Sequence, residues 1–136
     1  MNHYSSGNRV LWYWVPLVLY AGLIVFLSSL STTVVRIPTW YEGIDDKIIH
    51  AIEYAILAVL FYRVYLYGAG SSATVYAPML AIVSAILFGM TDEVHQYFVP
   101  HRHADGWDVF ADAVGALFGV RLWQWLRSRA TAFSSA

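Results

Sequence analysis

Long apolar runs alternate with short polar segments along this chain, and the spacing predicts four helices. The first run extends from Val10 to Leu30, broken only by Pro16, Gly22 and small hydroxyl residues. Its length of about 21 residues suits a hydrocarbon core of ~30 Å. A cleaved secretory leader is the rival reading, since Ser29 and Ser31 resemble a small-residue cleavage site. The run is longer than a leader's apolar region of about 7–15 residues and holds Trp12, Trp14 and Pro16, so a retained helix is expected. A polar loop over 31–46 follows, with Pro38, Gly43 and the acidic pair Asp45 and Asp46 placed to cap the next helix. The second helix is expected over about 47–67. It is apolar from Ala55 to Tyr62, but its first two turns carry Lys47, His50, Glu53 and Tyr54. Gly68 to Ser72 form a short turn that implies an antiparallel neighbour. The third helix is expected over about 73–98, with Pro78 near its start and Asp92, Glu93, His95 and Gln96 near its end. The fourth is expected over about 107–127.

Composition strengthens this reading. A soluble domain carries about 25% charged residues, whereas this chain of 136 residues carries 12%, with 59% hydrophobic residues and a mean hydropathy of +0.53. Too few polar side chains remain to clothe a soluble surface, so the solvent is lipid. The expectation is an all-α, integral membrane four-helix transmembrane bundle, one domain over 1–136. Eight Lys and Arg scattered along the chain supply no basic stripe, which excludes nucleic acid as a partner. The absence of cysteine excludes thiolate metal sites and cysteine nucleophiles. The flanking cations Arg9, Arg63, Arg121, Arg127 and Arg129 fall on one side of an alternating bundle, and Arg36, Lys47 and Arg102 on the other. The positive-inside rule then puts both termini in the cytoplasm and the acidic loops outside.

The polar residues of the helices gather at the start of the second, the end of the third and the start of the fourth, three ends that alternation brings together. At 100° per residue Lys47, His50 and Tyr54 share a sector of roughly 60°, and so do Asp108, Asp112, Gly115 and Gly119. Asp92 and Gln96 lie one turn apart, with Gly89 on the adjoining stripe. Gly115-x-x-x-Gly119 reads first as a close helix contact. Glu42, Asp45 and Asp105 read as solvated loop charges, and His3, His101 and His103 as surface histidines. Asp92, Glu93 and Asp112 border apolar helix, where an ionised group costs several kcal/mol unless paired or hydrated. Lys47, Arg102, His50 and His95 are the available partners, and a purely structural ion-pair network is one reading of the group.

Two chemical readings stand beside it. His50, Asp92, His95, Asp108 and Asp112 offer nitrogen and carboxylate ligands for a divalent metal, with Glu93 or Glu53 as proton acceptor, although no tight ligand motif is present. Alternatively Lys47, His50 and Arg102 bind an anionic head group or peptide carboxylate, oriented by the acids, with no reaction required. For a reaction the candidate catalytic residues are His50, Asp92, Glu93 and Asp108. The candidate substrate contacts are Lys47, Tyr54, Gln96, Arg102 and Asp112. Polar residues do not run through the full membrane depth, which disfavours a transporter.

Asp46-Lys47-x-x-His50-x-x-x-Tyr54, Asp92-Glu93-x-His95-Gln96-x-Phe98-x-Pro100-x-Arg102 and Asp108-x-x-x-Asp112-x-x-Gly115-x-x-x-Gly119 resemble the three signature blocks of the VanZ-like family, and Ser28-Ser29 resembles its closing of the first helix. The resemblance spans about residues 10–125. Two positions depart from it: the family usually has Asn at Asp112, and Gly-Arg after Pro100, where this chain reads His101-Arg102-His103. The resemblance implies a multi-pass protein of the bacterial inner membrane, associated with the cell envelope and through the family's founding member with low-level teicoplanin resistance. Membrane lipid, and a lipid-linked or glycopeptide ligand, are the partners it implies. It brings no particular reaction.

Overall fold

A computed structural model describes residues 6–30 and 46–134. All regular structure among them is helical: α1 (Ser6–Ser28), α2 (Asp46–Arg63), the one-turn α3 (Ser71–Thr74), α4 (Ala77–Tyr97) and α5 (Gly106–Ser134). Most of the loop expected over 31–46, including Arg36, Glu42 and Asp45, lies outside the described residues, as does His3.

Three stretches are long and apolar enough to cross a membrane: Leu11–Ser28, Asp46–Gly68 and Ala77–Tyr97. α5 is the longest helix at 29 residues but is not one of them. Asp108, Asp112, Arg121, Gln124 and Arg127 interrupt its apolar sequence.

α2 does not stop at Arg63. It runs on as a π-helical stretch, Val64–Gly68, and Gly70 then takes φ 87°, a backbone conformation that a side chain would strain. The single helix expected over about 73–98 is divided. α3 makes one turn, the chain bends at Val75 and Tyr76, and α4 begins with Pro78 in its first turn, where a missing N–H costs nothing.

α2 is the central element and packs against α1, α4 and α5. Small residues permit this. Ala77, Ala81, Ala85 and Gly89 form an i, i+4 stripe along the buried side of α4, and Gly115, Ala116 and Gly119 line the buried side of α5. A Cβ built on Gly115 would overlap the Ala51 carbonyl oxygen, and one on Gly119 the Ala55 carbonyl oxygen, so the backbones of α2 and α5 are in direct contact. Tyr54, Leu57, Ala58 and Tyr62 fill the remaining space with Leu17 and Ile24 of α1. Large apolar side chains, among them Leu19, Phe26, Leu87 and Phe118, point outward instead of inward, as lipid-facing residues do.

The two ends of the molecule differ. One gathers Tyr13 stacked on Tyr67 at 5.1 Å, with Arg63 over the Tyr13 ring and Arg127 over Tyr67. Such cation and aromatic pairs suit a membrane interface. The other end gathers the acidic residues and His50.

The contact at Gly115 yields a test. Gly115→Val would force α2 and α5 apart, with an expected loss of about 1–3 kcal/mol. Gly22→Ala, where an added Cβ meets nothing within 4 Å, would leave stability unchanged or slightly higher. Unfolding of both variants in mixed micelles checks the contrast.

Candidate functional site

α5 begins with a side-chain cap that also builds the site. Asp105 precedes the helix and accepts the Trp107 N–H through Oδ1 at 2.9 Å, satisfying a donor that the first helical turn leaves open. Its other oxygen accepts the Lys47 ammonium at 2.8 Å, and its own N–H donates to Glu93 Oε2 at 2.8 Å. One loop residue therefore ties together the start of α2, the end of α4 and the start of α5.

Below this cap the buried groups meet in pairs. Lys47 bonds to Asp108 Oδ1 as well as to Asp105, and Asp46 lies 3.5 Å from the same ammonium. His50 Nδ1 meets Asp112 Oδ1 at 3.0 Å, while its Nε2 faces Asp108 Oδ2 at 3.9 Å. A neutral ring that donates Nδ1–H to Asp112 would turn its Nε2 lone pair towards Asp108. The His50 ring lies parallel to that of Tyr54, at 3° and 6.3 Å between centroids, and Phe88 is tilted at 49° to Tyr54, 6.4 Å away. Gly89 makes room for this arrangement: a Cβ there would stand 2.5 Å from Asp112 Oδ2. That oxygen and Glu93 Oε1 are buried without a hydrogen-bond partner.

A second group sits beside the first. Asp92 is buried, accepting Ser28 Oγ–H from the end of α1 at 2.6 Å and Gln96 Nε2–H from one turn along α4 at 2.9 Å. Ser29 Oγ lies 2.9 Å from His95 Nε2 at the exposed edge. Arg102 donates to two carbonyl oxygens at the end of α1, Leu30 through Nε at 3.3 Å and Leu27 through Nη2 at 3.1 Å. Among the described residues it pairs with no carboxylate.

The expected residues thus come to one end of the molecule but divide in two. His50, Glu93 and Asp108 each bring a ligand atom within 4.8 Å of the others'. Asp92 and His95, expected with them as metal ligands, instead bond to the serines of α1. Glu93, expected as a proton acceptor, joins the converging set, while Asp112 stands behind His50. Lys47, expected to contact an anion, is occupied by carboxylates. Gln96, expected as a substrate contact, donates to Asp92, and Tyr54, expected with it, contributes its ring to the packing around His50.

Two contributions were not legible. Asp105, read as a solvated charge, is the hub of the cap; its place just before Gly106 and an acidic first turn was the signal for it. Ser28 and Ser29 were seen only in the resemblance, because nothing local in the sequence tells which face of α1 meets α4.

The sequence model of the family described as VanZ/LLP1 matches residues 11–127. No curated protein and no solved structure matches the chain.

Asp105 makes the cap sensitive to acid. The Lys47 ammonium, and then the Trp107 N–H, hold its carboxyl below the usual carboxylate range. In the unfolded chain Asp105 would take up its proton near the ordinary value of about 3.9. Its stabilisation is therefore fully present above that pH and is lost as pH falls through the lower value of the folded state. Asp105→Asn should unfold more readily than wild type at neutral pH, and the gap should close as the pH drops below about 4. Unfolding midpoints of the two proteins across that range check this.

Proposed function

The chain belongs to the VanZ/LLP1 family, and from that premise we propose that it is a four-span protein of the bacterial inner membrane whose polar centre binds or modifies an anionic component of the envelope. The observation that carries this reading is position. Buried charged side chains collect at one end of membrane-length helices, the level at which lipid head groups lie, and the opposite end carries cations packed on aromatic rings.

In this reading α5 is the fourth span and completes a four-helix transmembrane bundle. Its length of about 44 Å exceeds the ~30 Å hydrocarbon core. Phe110, Val114, Leu117, Phe118 and Leu122 give it an outward apolar face. Asp108 and Asp112 are buried against α2 and α4, so they need no lipid contact.

Arg102 is the anchor for the ligand. Its planar guanidinium has five N–H donors. Those at Nε and Nη2 rest on backbone carbonyls, which orient the group without neutralising its charge. Lys47 does not serve in this way, since an anion there would have to displace Asp105 and Asp108. The centre behind Arg102 supplies His50, Glu93 and Asp108 as groups that can orient the ligand or move protons. Binding or altering an envelope component at this level would lower glycopeptide susceptibility, the phenotype that the family resemblance implies.

Positive-inside asymmetry supports cytoplasmic termini, because Arg63, Arg121, Arg127 and Arg129 lie towards the end opposite the acids. A reporter fused after Ala136 should then be active in the cytoplasm, and activity outside the inner membrane would reverse the assignment. Ligand binding has a separate check. Delipidated protein titrated with phosphatidylglycerol and with phosphatidylcholine should prefer the former, and Arg102→Ala should weaken that preference about 10–100-fold, the loss of a hydrogen bond to a charged group. The same substitution should remove any protection against teicoplanin in cells expressing the chain. Equal affinity for both lipids, or indifference to Arg102→Ala, would sink the reading.

A further inference from the structure

Charge balance around His50 motivates a closer look at what the centre holds. Four carboxylates, those of Glu93, Asp105, Asp108 and Asp112, surround one ammonium and one imidazole. With all four ionised, even a protonated imidazole leaves this group net negative, and of the four carboxylates Asp105 alone is not buried. An isolated anionic head group would be repelled from such a centre. A cation would be drawn to it.

The atoms are arranged for one. Asp108 divides its oxygens, Oδ1 to Lys47 and Oδ2 towards His50 Nε2 at 3.9 Å. Asp112 holds the far ring nitrogen at 3.0 Å, and a neutral ring that donates Nδ1–H to it leaves Nε2 as a lone-pair donor. Glu93 is only 6% exposed; its Oε2 is occupied by the Asp105 N–H, and its Oε1 has no hydrogen-bond partner. A buried carboxylate oxygen left in this state is unfavourable until a donor or a cation meets it. The three residues come from different helices, α2, α4 and α5, so the group exists only in the packed fold.

We propose that His50, Glu93 and Asp108 form a binding site for one divalent transition-metal ion such as Zn2+ or Mn2+, with Asp112 as the carboxylate that orients His50. One nitrogen and two carboxylate donors favour such ions over Ca2+ or Mg2+, which prefer oxygen ligands alone. Two donors on one tetrahedral ion at ~2.0–2.2 Å stand roughly 3.4 Å apart. The observed separations, up to 4.8 Å, then close by roughly 0.5–1.5 Å, within reach of side-chain rotation. Three protein donors leave at least one coordination position open. The inference deepens the head-group reading and rests on it for its ligand class: the ion supplies the positive charge through which a phosphate or carboxylate approaches an acid-lined centre. Metal binding itself needs no lipid, so it is tested apart from that reading.

The full chain, purified in detergent and stripped with chelator, is dialysed to equilibrium against Zn2+, and bound metal is measured by elemental analysis. Wild type should retain one ion per chain, and so should a His103→Ala variant, which removes an exposed histidine that is not among the three ligands. His50→Ala and Glu93→Gln should lose the ion, and Asp112→Asn should keep the stoichiometry while affinity falls about 10–100-fold. Zn2+ should also raise the thermal midpoint of wild type, reversibly on adding EDTA, which reads binding without any variant. Absence of that shift, or one ion retained in folded His50→Ala and Glu93→Gln, overturns the proposal. A preference for phosphatidylglycerol that depends on Arg102, in protein that binds no metal, would overturn this inference alone and leave the head-group reading standing.

Discussion

An ionised side chain taken out of water into apolar helix costs several kcal/mol unless a partner meets it there, and the polar end of this protein is organised by that cost. Asp92 is met by Ser28 and Gln96, Asp112 by His50, and Asp108 by Lys47. Each partner comes from another helix or from one turn along the same one. The pairs therefore act as register marks. Sliding α5 by one turn along α2 would separate Asp108 from Lys47 and Asp112 from His50 together, which apolar contacts among alanines and leucines would not by themselves prevent.

Such pairing requires the helices to approach closely, and glycine and alanine allow it. Gly115 and Gly119 bring the α5 backbone onto Ala51 and Ala55 of α2, while Gly89 clears space for the Asp112 carboxylate. In lipid, helix association gains little from apolar burial because the tails are as apolar as the side chains. Close packing and interhelical hydrogen bonds take over that role. Small residues along the helices and polar residues at one end are thus parts of one solution, and Tyr54, stacked on His50 and buried between α2 and α4, links them.

Much of this was legible in the sequence because helical periodicity is itself a geometric statement. Lys47, His50 and Tyr54 shared a face, as did Asp108, Asp112, Gly115 and Gly119, and those faces do meet. Asp92 and Gln96, one turn apart on one helix, are close enough to bond, and they do. Periodicity says nothing, however, about which of several acids a given cation selects, and so Lys47 was free to be an anion contact until three carboxylates were found around it. The division of Asp92 and His95 from His50 and Asp108 was hidden for the same reason: it depends on where α1 ends relative to α4. The break before α4 was signalled by Pro78 but placed too early, since a proline in the first turn marks a start without showing what precedes it. His101 is a different case. It adopts φ 64°, where the resembling family usually carries Gly, and the backbone explains that usage: a left-handed residue after Pro100 turns the chain back towards α5. Histidine is among the non-glycine residues that tolerate the conformation.

Asp112 brings the energetic argument to its narrowest point. The resembling family usually has Asn there, and an amide oxygen would accept the His50 Nδ1–H as well as a carboxylate does. This chain instead keeps a charge at a residue only 1% exposed, with Oδ2 unpartnered beside Gly89. As a packing element alone, the carboxylate is worse than the amide, because it adds a desolvation cost and gains no hydrogen bond. Its advantage lies in what it does to the ring. A negative acceptor on Nδ1–H makes Nε2 a stronger donor of its lone pair, and favours positive charge on that side of the imidazole, whether proton or metal ion. Nε2 faces Asp108 and Glu93, so the charge at Asp112 acts on the position where three helices converge.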